Sequence, residues 1–192
     1  MKSFYDAEFA EHLTVAQATS QQLREPFEKI VAACVHAIKS GRKIFFFGNG
    51  GSAADAQHLA TELTIRYKKD RDPIAAIALT TDSSAVTAAG NDLGFDQIFA
   101  RQLAALGHRG DVAIGITTSG RSPNVIKAFE TARKLGIVTV AFTGGTGGNI
   151  LPHSDHVLLV PSTVTARIQE MHITLGQMLC GALEIELGLV SG

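Results

Sequence analysis

The chain has no tryptophan, two tyrosines and two cysteines among its 192 residues, and its charges nearly cancel. So few tyrosines, with no tryptophan, leave no aromatic platform on which single-stranded nucleic acid could stack. Lys and Arg number 17 against 18 Asp and Glu, a formal charge of −1, so there is no massed cation to neutralise a phosphate backbone. Cys34 and Cys180 lie far apart in apolar runs. That excludes a disulfide framework or a zinc knuckle and points to two buried thiols. No apolar run approaches the roughly 18 residues of a membrane span. The first eight residues are too acidic and polar for a secretory signal. The expectation is a cytoplasmic protein with no nucleic-acid or membrane partner. The pattern G-x-x-x-x-G-K-[ST] is missing, which argues against a nucleoside triphosphate, and so is the G-x-S-x-G elbow of serine hydrolases.

What is present is ordinary globular material, 45% apolar and 18% charged. A chain of this length can bury a core without staples. A single domain over residues 1–192 is expected, with an N-terminal helical extension over about 1–40. Apolar spacing reads as helix through the first forty residues, with Pro26 in a first turn and Gly41 as the stop. Short apolar runs at 43–47, 74–79, 112–116, 138–142 and 156–160 then read as strands. They alternate with helical stretches near 53–67, 84–105 and 122–135, and a long helix closes the chain at 164–188. Continuously apolar strands alternating with helices define an α/β fold with a parallel sheet covered on both faces. The last helix is apolar nearly all round, from Ile168 to Leu187. One domain of this size offers little room to bury it, so it is expected, with the N-terminal helices, at the interface of a homo-oligomer.

Polar, Gly-rich loops follow at least four strands, at the edge where open α/β sheets bind ligands. After the first strand comes Gly48-Asn49-Gly50-Gly51-Ser52, which lets an anion approach backbone amides at a helix start. Gly48, Gly50 and Ala53 fit a loose dinucleotide pattern. Its acidic partner should follow about 20 residues on, whereas Asp82 lies some 30 beyond the glycines. After the third strand, Thr117-Thr118-Ser119-Gly120-Arg121-Ser122-Pro123 offers four hydroxyls where one helix cap needs a single one, a composition suited to phosphate. His58 and Glu62, at i and i+4, share one helix face as a metal-ligand or acid–base pair. Polar Arg167, Gln169, Glu170 and His172 open the otherwise apolar last helix and suggest either a site or a capping turn. His153-Ser154-Asp155-His156 reads as a polar loop before the fifth strand. The residues thus describe an α/β protein that binds a phosphorylated small molecule.

The run from Gly48 to His58 with Glu62, then Gly90-Asn91-Asp92, Thr118-Ser119-Gly120 with Ser122-Pro123-Asn124, and Arg167-Ile168-Gln169-Glu170 resemble the phosphoheptose isomerase family, in order and over nearly the whole chain. The resemblance implies the sugar isomerase (SIS) fold, a flavodoxin-like five-stranded parallel sheet flanked by helices. It implies conversion of sedoheptulose 7-phosphate to D-glycero-D-manno-heptose 7-phosphate. That is the first step toward the ADP- or GDP-heptose of bacterial lipopolysaccharide and other surface polysaccharides. It also implies a homotetramer with one zinc ion per subunit. Carried over by motif, substrate contacts fall on Asn49, Gly50, Gly51, Glu62, Asn91, Asp92, Thr117, Thr118, Ser119, Ser122 and Gln169. Zinc ligands fall on His58, Glu62 and Gln169, and Glu62 matches the general base.

The chain departs from the family at Gln177, where relatives carry a His that binds zinc and acts as general acid. An amide can coordinate through its oxygen but cannot titrate. His172 is the obvious substitute, yet it lies about 140° around the helix from Gln177 and would serve another site, for example in a neighbouring subunit. Gln169 and Gln177 are separated by a rise of about 12 Å, so both reach one metal only by leaning along the axis or by coming from two chains. The competing readings are an isomerase of another sugar phosphate and a non-catalytic SIS adaptor of the kind that serves the replication initiator. Such adaptors lack the catalytic pair, whereas this chain keeps Glu62 and His58.

Overall fold

The computed structural model describes residues 1–191. Two helices, α1 (Lys2–Gln22) and α2 (Arg24–Lys39), precede five strands: β1 (Ile44–Gly48), β2 (Ala76–Ala78), β3 (Val112–Ile116), β4 (Val138–Gly144) and β5 (His156–Val160). Helix α3 (Gly51–Thr64) follows β1, α4 (Ser83–Asp92) and α5 (Ala100–Leu106) follow β2, α6 (Pro123–Leu135) follows β3, and α7 (Thr165–Glu186) closes the chain. All strands are parallel, in the order β2-β1-β3-β4-β5.

Both faces of the sheet are covered, which is why β1 and β3 are apolar without alternation. Ile44, Phe46, Ile114, Val140, Phe142 and Leu158 join α2, α3 and α7 in one core. Phe45, Phe47, Ala113 and Ala141 join α5 and α6 in a second core on the other face. β2 is an edge strand, and of the run at 74–79 only three residues pair. The single helix expected at 84–105 is instead α4, a 3-10 turn at Phe95–Gln97 and α5. Gly94 breaks it with φ of 98°, a conformation that other residues avoid.

α7 finds the room it was expected to lack. It packs in the first core beside α3, with Ile168, Met171, Leu175, Leu179, Cys180 and Leu183 buried inside the one chain. A row of open apolar surface lies on α1, where only Val15 and Thr19 are buried. There Phe4, Tyr5, Phe9 and Leu13 remain between 52% and 64% exposed. Both cysteines are buried, and burial pushes each thiol up to about 12, so neither is a nucleophile or a metal ligand.

Candidate functional site

In this strand order the chain leaves β1 and β3, which are neighbours, in opposite directions. α3 packs on one face and α6 on the other. The loops after the two strands therefore part and open a crevice at the carboxyl edge. Both expected loops line it. They are braced across the gap by a reciprocal pair of side-chain amides. Asn49 Nδ2 donates to Asn124 Oδ1 at 2.9 Å, and Asn124 Nδ2 donates back at 2.8 Å. Asn124 was not among the expected site residues. Its motif was visible in the sequence, but its role depends on burial beside Asn49, which no spacing shows.

The hydroxyl loop is held open by its neighbours. Thr117 Oγ1 and Ser122 Oγ are 3.0 Å apart, and Ser119 Oγ accepts from the amide of Arg121. Gly120 has φ of 63°, and a Cβ there would lie 1.9 Å from the carbonyl oxygen of Gly147. Gly144 N donates to Thr118 O, and Ile150 N to Gly120 O, so the loop after β4 buttresses the one after β3. Among the described residues, the amides of Thr118, Ser119 and Ser122 meet no acceptor. Open amides, free hydroxyls and the start of α6 together form an anion cradle.

On one face of the sheet, α3 runs back from the crevice toward the amino edge, side by side with α7. His58 Nε2 lies 2.8 Å from Glu62 Oε1 and 3.0 Å from the Gln177 amide. Nε2 cannot donate to the carboxylate and accept from an amide N–H at once. Protonated, Nε2 donates to Glu62; unprotonated, it accepts from Nε2 of Gln177. The three donors thus converge on one point, with the Glu62 side chain 19% exposed. Glu62 Oε2 has no protein partner among the described residues. Gln169 turns to the start of α3, where a Cβ on Gly51 would come within 2.8 Å of its Nε2. The two glutamines therefore meet α3 at its start and at its middle from within one chain, and neither contact needs a second subunit.

Three expected features are placed differently. His172 does not replace Gln177 and lies open to no neighbouring subunit. It is fully buried and 3.2 Å from Thr143 O, and burial lowers its pKa to about 4, partly opposed by that backbone hydrogen bond. Arg167 and Glu170 tie α7 to α1. Arg167 donates to Glu8 O and Glu170 at 2.7 Å each, and Glu170 meets His12 at 2.8 Å. Asn91 and Asp92 end α4, where their one hydrogen bond is to each other, and nothing joins them to the crevice within one chain. Asp155 serves β4 by accepting from Thr139 N and Oγ1.

The parallel sheet, the crevice at its reversal point and the hydroxyl loop define a SIS domain, whose family pattern matches residues 8–144. The similarity extends well beyond that domain. The phosphoheptose isomerase of Paramagnetospirillum magneticum is 55% identical over 95% of each chain, and that of Aquifex aeolicus is 51% identical over 92% of each. The solved phosphoheptose isomerase of Neisseria gonorrhoeae superposes with a TM-score of 0.90 at 43% identity, covering 95% of this chain and 98% of the other. That of Francisella tularensis gives 0.92 at 37%, covering 94% and 96%. The chain belongs to the phosphoheptose isomerase family.

Proposed function

We propose that the protein interconverts sedoheptulose 7-phosphate and D-glycero-D-manno-heptose 7-phosphate, an aldose–ketose isomerisation that opens heptose biosynthesis and supplies bacterial lipopolysaccharide. The observation that carries this reading is a carboxylate, Glu62, with one oxygen held by His58 and the other free of protein partners, in a chain that also builds an anion cradle after β3. The cradle takes the phosphate through the Thr118, Ser119 and Ser122 amides and the hydroxyls of Thr117, Ser119 and Ser122. Asn49, Gly50 and Gly51 line the sugar's path. Glu62 Oε2 removes the C1 proton of the ketose and returns it at C2, while His58 holds Oε1 and so fixes the carboxylate's orientation.

The donor set fits a divalent cation, because His58 Nε2 and Glu62 Oε1 lie together and the Gln177 amide, turned about its last bond, brings its oxygen beside them. Among the described residues, no three His, Cys, Asp or Glu side chains gather as a metal site, so the amide oxygen of Gln177 must join His58 and Glu62, while Gln169 lies against Gly51 at the start of α3. Such a set holds zinc more weakly than one with a second imidazole. When bound, zinc would polarise the substrate carbonyl and stabilise the enediolate oxygen. Gln177 cannot act as a proton donor in turnover, since its amide does not titrate.

We also infer that the chain assembles with copies of itself, as a tetramer, through α1. Its apolar stripe adjoins a groove of about 360 Å³ lined by Ala16, Leu23, Phe27, Met171, Leu175 and Met178. The protein works in the cytoplasm, where its phosphorylated substrate is made. No helix among the described residues is long and apolar enough to cross a membrane.

The test follows aldose formation by NMR with metal-stripped and zinc-supplied protein. Turnover that rises with zinc, and falls about 10²- to 10⁴-fold in Glu62→Gln, is expected for loss of a general base. Absence of turnover in both states would overturn the assignment and favour a binding role, and turnover indifferent to Glu62→Gln would remove Glu62 as the base.

A further inference from the structure

α3 ends at Thr64, and its last carbonyls have no partner inside the helix. Two of them are met by one side chain from the following link, and Ile74 N also donates to Leu63 O at 3.0 Å. Arg71 Nη2 donates to the backbone oxygen of Glu62 at 2.7 Å. Nη1 donates to Leu63 O at 2.8 Å, with Asp72 O and Ile65 O at 3.1 and 3.3 Å. Nε donates to Glu184 Oε1 of α7 at 2.8 Å, and the same oxygen accepts from Tyr67 N at 3.1 Å. The side chains of Arg71 and Glu184 are 1% and 3% exposed.

A buried ion pair is a poor device for stability, because desolvating two charges offsets most of their attraction. A planar guanidinium is a good device for geometry, since its donors point along fixed directions. A cation also suits the negative end of a helix. Here it binds the backbone of the residue that carries the proposed base, and its counter-ion stands on the helix that carries Gln177 and Gln169. Between the two ends, α3 and α7 touch closely: a Cβ on Gly176 would lie 2.5 Å from Leu59. The helices thus approach closely where Gln169 lies against Gly51 at one end, and are pinned at the other by Arg71 and Glu184. His58, Glu62 and Gln177 lie between these two contacts.

We propose that the Arg71–Glu184 pair is a positioning device for the reaction: it sets the last turn of α3 against α7 and thereby aims Glu62. Its catalytic consequence rests on the reading of Glu62 as the base; its structural content does not. Arg71→Lys keeps the charge and loses the fork. Glu184→Gln keeps an oxygen for Tyr67 N and Arg71 Nε and loses the charge, so it serves if the first variant does not fold. Asp111→Asn is the control. Asp111 is a buried partner of Lys43 just before β3 and bonds to neither α3 nor α7, so this change destabilises the fold without touching the Arg71–Glu184 pair.

Two readings are taken on each variant in the full-length protein: steady-state kinetics with sedoheptulose 7-phosphate, and the NMR cross-relaxation between the His58 ring and the Gln177 amide protons. At matched loss of melting temperature, the expected result is a kcat at least tenfold lower in Arg71→Lys with KM within twofold, and a kcat within twofold of the parent in Asp111→Asn. The His58–Gln177 cross-peak weakens in Arg71→Lys and persists in Asp111→Asn. Equal losses in both, or an unchanged cross-peak and kcat in Arg71→Lys, overturn the proposal. If the parent protein shows no turnover, the isomerase reading fails and the cross-peak alone decides this one.

Discussion

Gln177 is the residue at which this chain tests its family's chemistry. The side chain keeps the contact a metal ligand would make, 3.0 Å from His58, and brings an amide where relatives have an imidazole. An amide oxygen is a weaker donor to zinc than a ring nitrogen. Gln177→His is therefore expected to raise zinc affinity roughly tenfold or more, about 1.4 kcal/mol, as read by competition with a chromophoric chelator. Unchanged affinity would mean that position 177 does not face the metal. The loops and the His58–Glu62 pair were legible because each is local: helical spacing alone places i and i+4 on one face. Arg71 was not legible. It sits in a run of charged residues, and only its burial at 1% separates it from its neighbours.

At the scale of elements, α1 and α7 exchange the roles their compositions suggest. α7 is the more apolar and is spent on the chain's own core, while α1 holds few core residues and shows its aromatic side outward. Tyr5 and Phe9 stack with ring centroids 4.7 Å apart, and Leu13 continues their row two turns along. A charge set in that row would have to be desolvated in any assembly built on it. Phe9→Glu is expected to yield a smaller species by light scattering with its far-ultraviolet dichroism intact, whereas an unchanged mass would move the interface elsewhere. The periodicity of α7 reports that it is covered and not by what. Here α3, α2 and the sheet cover most of it, while Met178 and Ile185 stay about half exposed.

For the molecule as a whole, the pH response is set in part by His172. Its folded pKa is depressed to about 4 from an ordinary 6.5 by burial. Between those values the unfolded chain binds a proton that the folded one refuses, so stability is full above about pH 6.5 and is lost as the pH falls toward 4. The depression corresponds to on the order of 3 kcal/mol. Melting temperature should therefore drop between pH 7.5 and 4.5 by roughly 5–10 °C more in the parent than in His172→Gln, which cannot titrate at that position. Equal drops would assign the acid response to other groups.

The sequence by itself determined the alternation of strands and helices, the chemistry of the loops and the family. These depend on local pattern, on glycine's tolerance of positive φ and on residues close in the chain. It also placed the residues 58, 62, 169 and 177 as candidates. Only the tertiary structure decided which of them meet. Gln177 reaches His58 across 119 positions and Asn124 reaches Asn49 across 75, distances at which no periodicity carries information. It also decided that His172 is a core residue and that Arg71 grips the carbonyl of Glu62. Burial and the demand of orphaned helix carbonyls for donors arise once the elements have packed, and not before.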